Sequence, residues 1–446
     1  MYPFTIVITK MVHMLYSSRS TTGTKISSFV GVVCLALFVA SCASSALEDE
    51  TIILNEKKYV KPTRELDGLA LTKSQEEYFS AVSNEAFAAL SKRILVNPNN
   101  HLLSPIGFHL LSAMCAPLVN DAQYYAVLNN TFDLPGMDDS SIHSLSKAFI
   151  NKLPALDNSV DFITVNMAVI FHDSNDVAYH FPAGYDKLID DYYDGVVVET
   201  KKTDAFSSKL TNWVQNYSAG RLSLLPLFSS VNLVSNSYFS GCWKFGFDPN
   251  NTRVESFKTV QGKYEEHPMM CMSGTYKVYQ HDKYTSIKLP LGEKDRLSMT
   301  IVLPSEDESI IDVLNTLSET GLNGSFEEKD ATLFLPKIKI TDNAYIDDFS
   351  PELANSISKS DFFHQFIFEG ASDYSILQSL GIEWNEAGIM ASSSSFTGQL
   401  DYSSEDENKK ENALVVKINR PFIFSIGIEG TSICLYCGFY GGRELL

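Results

Sequence analysis

Residues 383–410 read EWNEAGIMASSSSFTGQLDYSSEDENKK. The stretch opens like the end of a strand, passes through glycine, small residues and serines, and finishes in a charged tail before a strong apolar segment. From 387 to 400 it carries no charge and no proline, so nothing bars it from the middle of a sheet. Yet it has little to bury. A chain of 446 residues with 44% hydrophobic and 12% aromatic residues has ample material for a large core. This segment therefore stands apart from the rest, and its role has to come from its neighbours.

The bulk numbers exclude several classes. A net charge of −19 lacks the clustered Lys and Arg that phosphates require, so no nucleic-acid partner is expected. At the N-terminus, Lys10, Arg19 and Lys25 precede an uncharged apolar run, 29–40. The run is shorter than the roughly 20 residues of a spanning helix and suits a secretory signal. It ends in Val39-Ala40-Ser41-Cys42, which resembles the bacterial lipobox, with Cys42 as the lipidated first residue after cleavage; an ordinary signal peptide is the alternative. The expected organisation is a lipoprotein-type signal over 1–41, a polar tether over 42–70 and one domain over 71–446. That implies a bacterial envelope protein, held by lipid at the outer membrane or cell surface.

Residues 72–95 read as an amphipathic helix, with Ser74 and Glu77 at capping-box spacing and Phe79, Val82, Ala86, Phe87, Leu90 and Ile94 on one face. Asn97-Pro98 stops it, and Ser104-Pro105 opens a second helix. Strands are expected at 160–173 and at GVVVETK (195–201). The apolar run 231–247 reads as a buried central strand. YTSIKLPL, LSMTIVLP and ATLFLPKIKI read as short strands, and the C-terminus as three more, separated by Arg420-Pro421 and Glu429-Gly430. Helices dominate the first third and strands the last half, the pattern of one α+β domain.

Chemistry is sparse. There is no HExxH, GxSxG, GxxxxGK or strand-borne GxGxxG, so the chain is read as no enzyme, with no cofactor and no metal. The histidines are scattered and never pair at ligand spacing. Asp190 and Asp194 would share a helix face but have no basic or histidine partner nearby in sequence, which fits a solvated face. Cys434 and Cys437, three apart on an expected strand, point to opposite sides and read as buried small hydrophobes rather than a redox or zinc pair.

Several segments together resemble the serpin family. NPNNHLLSPIGFHLLSAMCA (97–116), TNWVQNYSAGRLSLLP (211–226) and the long 233–276 segment are similar to serpin stretches. LPKIKI, WNEAG and NRPFIFSIGIEGTSICLYCGFY follow in the family's order, so that the resemblance spans about 72–442. It implies an α+β serpin fold: helices on a large central mixed β-sheet, two smaller sheets and an exposed reactive loop, here 386–412. It also implies a suicide-substrate inhibitor of serine proteases, and of cysteine proteases as a side activity, whose cleaved loop inserts as a new central strand. Strand addition of this kind is an established example of β-augmentation. A non-inhibitory serpin acting as a surface binding lipoprotein is the alternative, and a monomer is expected.

Within that frame WNEAG matches the hinge. Glu386, Ala387, Gly388, Ile389, Met390 and Ala391 form it, and Ser392, Ser393, Ser394, Ser395, Phe396 and Thr397 belong to the inserting segment. Alternation sets Ile389, Ala391, Ser393, Ser395, Thr397 and Gln399 on one face. Ile389 is larger than the usual hinge residue, and serine hydroxyls need partners once buried. Ser235 stands where the family commonly has asparagine, and Phe334 where some members have a buried histidine, so an apolar latch is expected. Counting from the hinge puts the scissile bond at Tyr402–Ser403; counting back from Pro421 puts it near Lys410–Glu411. The hinge count is preferred, because inserted length sets the travel of the protease: ~17 residues at ~3.3 Å each is about 55 Å. Tyr402 as bait suits chymotrypsin-, cathepsin G-, elastase- or subtilisin-like enzymes, and Lys410 a trypsin-like one.

Overall fold

The computed structural model describes residues 71–119, 122–131, 139–172, 179–201, 204–218, 220–222, 227, 229–322, 324–368, 371–390 and 414–442. Cys42 and the segment 391–413, with Tyr402, Ser403, Lys410 and Glu411, lie outside the described residues.

The first element among the described residues is α1 (Lys73–Val96), capped by Thr72. β1 (His101–Leu103), α2 (Pro105–Val119), α3 (Ala122–Thr131), α4 (Asp139–Lys152) and β2 (Val160–His172) follow. Next come α5 (Tyr185–Tyr193), β3 (Val196–Lys201), α6 (Asp204–Tyr217) and β4 (Val231–Cys242). A strand-rich half holds β5 (Arg253–Lys258), β6 (Tyr264–Gln280), β7 (Tyr284–Leu291), β8 (Leu297–Pro304), α7 (Ile310–Thr320), β9 (Glu327–Pro336) and β10 (Ile338–Tyr345). Then come α8 (Ile346–Phe349), α9 (Pro351–Ser358), α10 (Asp361–His364), β11 (Ile367–Phe368), β12 (Ala371–Ser372), β13 (Tyr374–Asn385) and β14 (Gly388–Met390). β15 (Leu414–Lys417), β16 (Phe422–Ile428) and β17 (Cys434–Tyr440) are the last described elements.

Two sheets carry the architecture. The central one is mixed and runs β10-β13-β14-β4-β2-β3. The other has nine strands, β1-β17-β16-β8-β7-β6-β9-β15 with β5 on β6. The two smaller sheets expected from the resemblance are continuous here, because β6 is long enough to pair β5 at one end and β7 at the other, with β9 alongside between them. β11 and β12 make a separate short ribbon.

α2 explains how the layers join. Every one of its residues except Pro117 is buried, as a helix apolar all round must be. It contacts β4 and β13 of the central sheet and β17 of the nine-stranded one. α1 packs beside it, and Arg93 near its C-terminus reaches Asp342 of β10 at 2.9 Å and also pairs with Asp348.

Local departures from the sequence reading have simple causes. The capping box of α1 is Thr72 with Gln75, two residues earlier than Ser74 with Glu77, since Thr72 already supplies the extended cap. ATLFLPKIKI is two strands in two different sheets, β9 and β10, and Lys337 is the residue between them. Asp194 is the left-handed C-cap of α5, φ 47°, so it shares no helix face with Asp190 and instead accepts a hydrogen bond from Tyr217 Oη at 2.6 Å. Cys434 and Cys437 are buried free thiols on β17, as their spacing predicts.

Candidate functional site

β13 does not simply end at Asn385. Glu386 and Ala387 make a two-residue turn, and β14 folds back antiparallel to β13, pairing Asn385 with Gly388, Trp384 with Ile389 and Glu383 with Met390. Its other edge pairs with β4, Gly388 opposite Cys242 and Ile389 opposite Gly241. The hinge is therefore wedged between the two strands at one end of the central sheet. Beyond it β13 and β4 pair directly and in parallel, from Leu380 opposite Ser237 to Tyr374 opposite Val231.

Backbone geometry makes Gly388 obligatory. A Cβ there would lie 2.3 Å from the carbonyl oxygen of Gly241 and 2.6 Å from the Cα of Cys242. Ile389 is completely buried. Trp384, its ladder partner, packs edge-on against Phe424 with ring centroids 5.0 Å apart, and its indole N–H donates to the Pro336 carbonyl at 2.7 Å. Ile389, larger than the usual hinge residue, is already seated in an apolar slot.

The turn is held from three sides. The Trp243 backbone N–H donates to the Ala387 carbonyl at 3.1 Å and the Phe247 N–H to that of Glu386 at 3.0 Å. The Trp243 indole N–H donates to the Asn385 carbonyl at 2.7 Å, and Asn385 Oδ1 accepts from the Ala387 N–H at 2.9 Å. The Glu386 carboxylate is 2.6 Å from Lys337 Nζ and accepts from the Thr252 hydroxyl at 2.6 Å. Burial opposes its ionisation, but the hydrogen bonds from Lys337 and Thr252 outweigh it and hold the carboxyl below its ordinary value. Lys337, Thr252 and Trp243 were given no part by the sequence reading, although each lies in or beside a family-like segment. Their sequence distance from the hinge hid them.

The apolar latch is a correction. Phe334 sits on β9 opposite Cys271 in the nine-stranded sheet, not opposite Ser235. Opposite Ser235 stands Gln378 of β13, whose amide accepts from the Ser104 N–H at 2.9 Å and donates to the Ser104 carbonyl at 2.8 Å. The latch is polar, and ties β13 to the start of α2. Ser235 Oγ itself is buried with no hydrogen-bond partner, as is Asn232 Oδ1.

Histidines that are scattered in the sequence meet at one place in the fold. His172, His180 and Glu199 bring ligand atoms within 4.8 Å of one another, because β2 and β3 pair in parallel and align residues far apart in sequence.

Comparison with known proteins agrees with this architecture. The family model described as Serpin (serine protease inhibitor) matches residues 80–440. An uncharacterized serpin-like protein of Methanosarcina acetivorans is 24% identical over 94% of this chain and 97% of its own length. Mouse antithrombin-III is 27% identical over 51% of each chain. Among solved structures, the thermophilic serpin tengpin in its native state superposes with a TM-score of 0.66 at 18% identity, covering 87% of this chain and 97% of its own. Protease nexin-1 with heparin gives 0.64 at 20% identity over 83% of this chain. The chain belongs to the serpin family, whose members are generally protease inhibitors.

Proposed function

We propose that the chain is a suicide-substrate inhibitor of serine proteases. The observation that carries this reading is the hinge: β14 already forms the first residues of a new strand between β13 and β4. Continued in the same register, Ala391 faces Ile382 and Phe239, Ser395 faces Gln378 and Ser235, and Thr397 faces Ile376 and Leu233. Gln399 faces Tyr374 and Val231, where the direct pairing of both strands begins. Ile389 is buried, so alternation gives Ala391, Ser393, Ser395 and Thr397 the inward side. Ser395 then meets the unpartnered hydroxyl of Ser235, which supplies the partner that a buried serine needs.

The same register favours Tyr402–Ser403 as the scissile bond. Tyr402 falls three residues past the last ladder pair, so an attached protease arrives at the far end of the sheet with little slack. Lys410–Glu411 leaves a long unpaired tail and favours release. A Tyr402 bait selects chymotrypsin-, cathepsin G- or subtilisin-like enzymes. Cys42 is the proposed lipid attachment point, with the protein displayed on a bacterial envelope; Cys42→Ala then moves it from the membrane to the soluble fraction.

Incubation with chymotrypsin, subtilisin, elastase and trypsin tests the reading. A covalent complex that survives SDS is expected, with a released C-terminal fragment beginning at Ser403. Cleavage without complex at every ratio of protease to inhibitor overturns it in favour of a non-inhibitory surface protein. A fragment beginning at Glu411 moves the bait to Lys410.

A further inference from the structure

We propose that His172, His180 and Glu199 form a zinc-binding site at the edge of the central sheet. Glu199 lies on β3 opposite Ile170 of β2, and His172 follows two residues later on β2, so both side chains leave the same face. His180, on the approach to α5, closes the third side: its Nδ1 is 2.6 Å from Glu199 Oε2, and its ring centroid is 5.6 Å from that of His172.

Three features favour a metal over a simple His–Glu pair. A third ligand-bearing side chain converges on a pair that is already hydrogen-bonded, with all ligand atoms inside 4.8 Å. A tetrahedral centre with bonds of about 2.1 Å sets its ligands about 3.4 Å apart, which small side-chain rotations reach. The second carboxylate oxygen is fixed in advance, since the Phe181 N–H donates to Glu199 Oε1 at 2.7 Å, the outer-shell support usual for a ligating carboxylate. Finally, His180 is exposed, which leaves the fourth position to water. Lys201, opposite His172 in the ladder, is also exposed, so its ammonium has room to stay in solvent.

Two imidazoles and one carboxylate suit zinc and disfavour calcium or magnesium, which take oxygen ligands. Bound there, the ion would tie edge strand β3 and the chain entering α5 to the end of β2. That end is beside the start of β4, Ile170 facing Val231, and so opposite the hinge.

The test is calorimetric titration of the full-length, chelator-stripped protein with zinc chloride. One saturable site is expected. Its affinity should fall at least about tenfold in His172→Ala, in His180→Ala and in Glu199→Gln, and stay unchanged in His364→Ala. Calcium and magnesium should give no saturable heat. Zinc should also slow hydrogen exchange across 196–201 in the parent and not in His172→Ala, with metal-free melting of the two equal. Absence of a saturable zinc site overturns the proposal, as does zinc binding of parental strength in the three variants.

Discussion

Glu386 shows how one residue sets the state of the hinge. Its carboxylate is shared by Lys337, between β9 and β10, and Thr252, ahead of β5, while its carbonyl is held by Phe247. Lys337→Met leaves a largely buried carboxylate with one side-chain donor and should cost about 1–2 kcal/mol, read as a lower melting temperature near neutral pH. The pH dependence follows from the depressed pKa of this carboxyl. A carboxyl held below its ordinary value of 4.5 contributes stability above that value and loses it as pH falls through the lower, folded value. The difference between parent and variant should therefore shrink in acid, and an undiminished gap well below pH 4.5 would contradict the assignment. Gly388 is decided by space. Gly388→Ala drives a Cβ into the backbone of Gly241 and Cys242, an overlap of the kind that costs about 1–3 kcal/mol. Hydrogen exchange at the Trp243 and Ala387 amides should accelerate, and the yield of SDS-stable complex should fall.

At the scale of elements, the junction between β13 and β4 is where the proposed insertion would take place. Ile376 pairs directly with Leu233 in the present structure, so the level that Thr397 would reach is closed by β13 and β4. Thr397→Arg should leave native melting unchanged, because that level is filled by the two strands themselves. On insertion its guanidinium would be forced between Leu233 and Ile376, both buried, at a cost of several kcal/mol. Chymotrypsin should then cleave the variant as fast as the parent yet form little covalent complex, and undiminished complex would show the register to be wrong. This element was readable in outline. The uncharged, proline-free run after Gly388 announces a strand, and its alternation gives the inward face. What could not be read is how far entry has already gone, since that depends on a slot made by Gly241 and Trp243 at the end of β4 and by Trp384 on β13, two segments far apart in the chain. The latch was misread for the same reason. Gln378 and Ser104 are 274 residues apart, whereas Phe334 was a position inferred by similarity alone. LPKIKI looks like one strand because its apolar residues continue through Lys337. Only the assembled layers show the chain leaving one sheet for the other there, with Lys337 freed to reach Glu386.

For the molecule as a whole, the native arrangement keeps unfulfilled bonding in its centre. β13 and β4 meet as a parallel pair, the slightly weaker kind of ladder, and Ser235 Oγ and Asn232 Oδ1 between them lack partners. An antiparallel strand running from Gly388 to Gln399 replaces that one parallel contact with two antiparallel ones, and its inward side chains add apolar contact to Leu233, Ile376, Leu380 and Ile382. At roughly 0.5–1.5 kcal/mol net per hydrogen bond, the added ladder is worth on the order of 10 kcal/mol. Cleavage of the loop should therefore raise the melting temperature rather than lower it, by on the order of 10 °C or more for a domain of this size. The gain must also disappear in Thr397→Arg, which cannot seat the strand. A cleaved parent that melts with the intact chain would mean that the seated hinge is as far as the loop can go. In that case the wedge at Gly388–Met390 would be a fixed end of the sheet and not the beginning of a new strand.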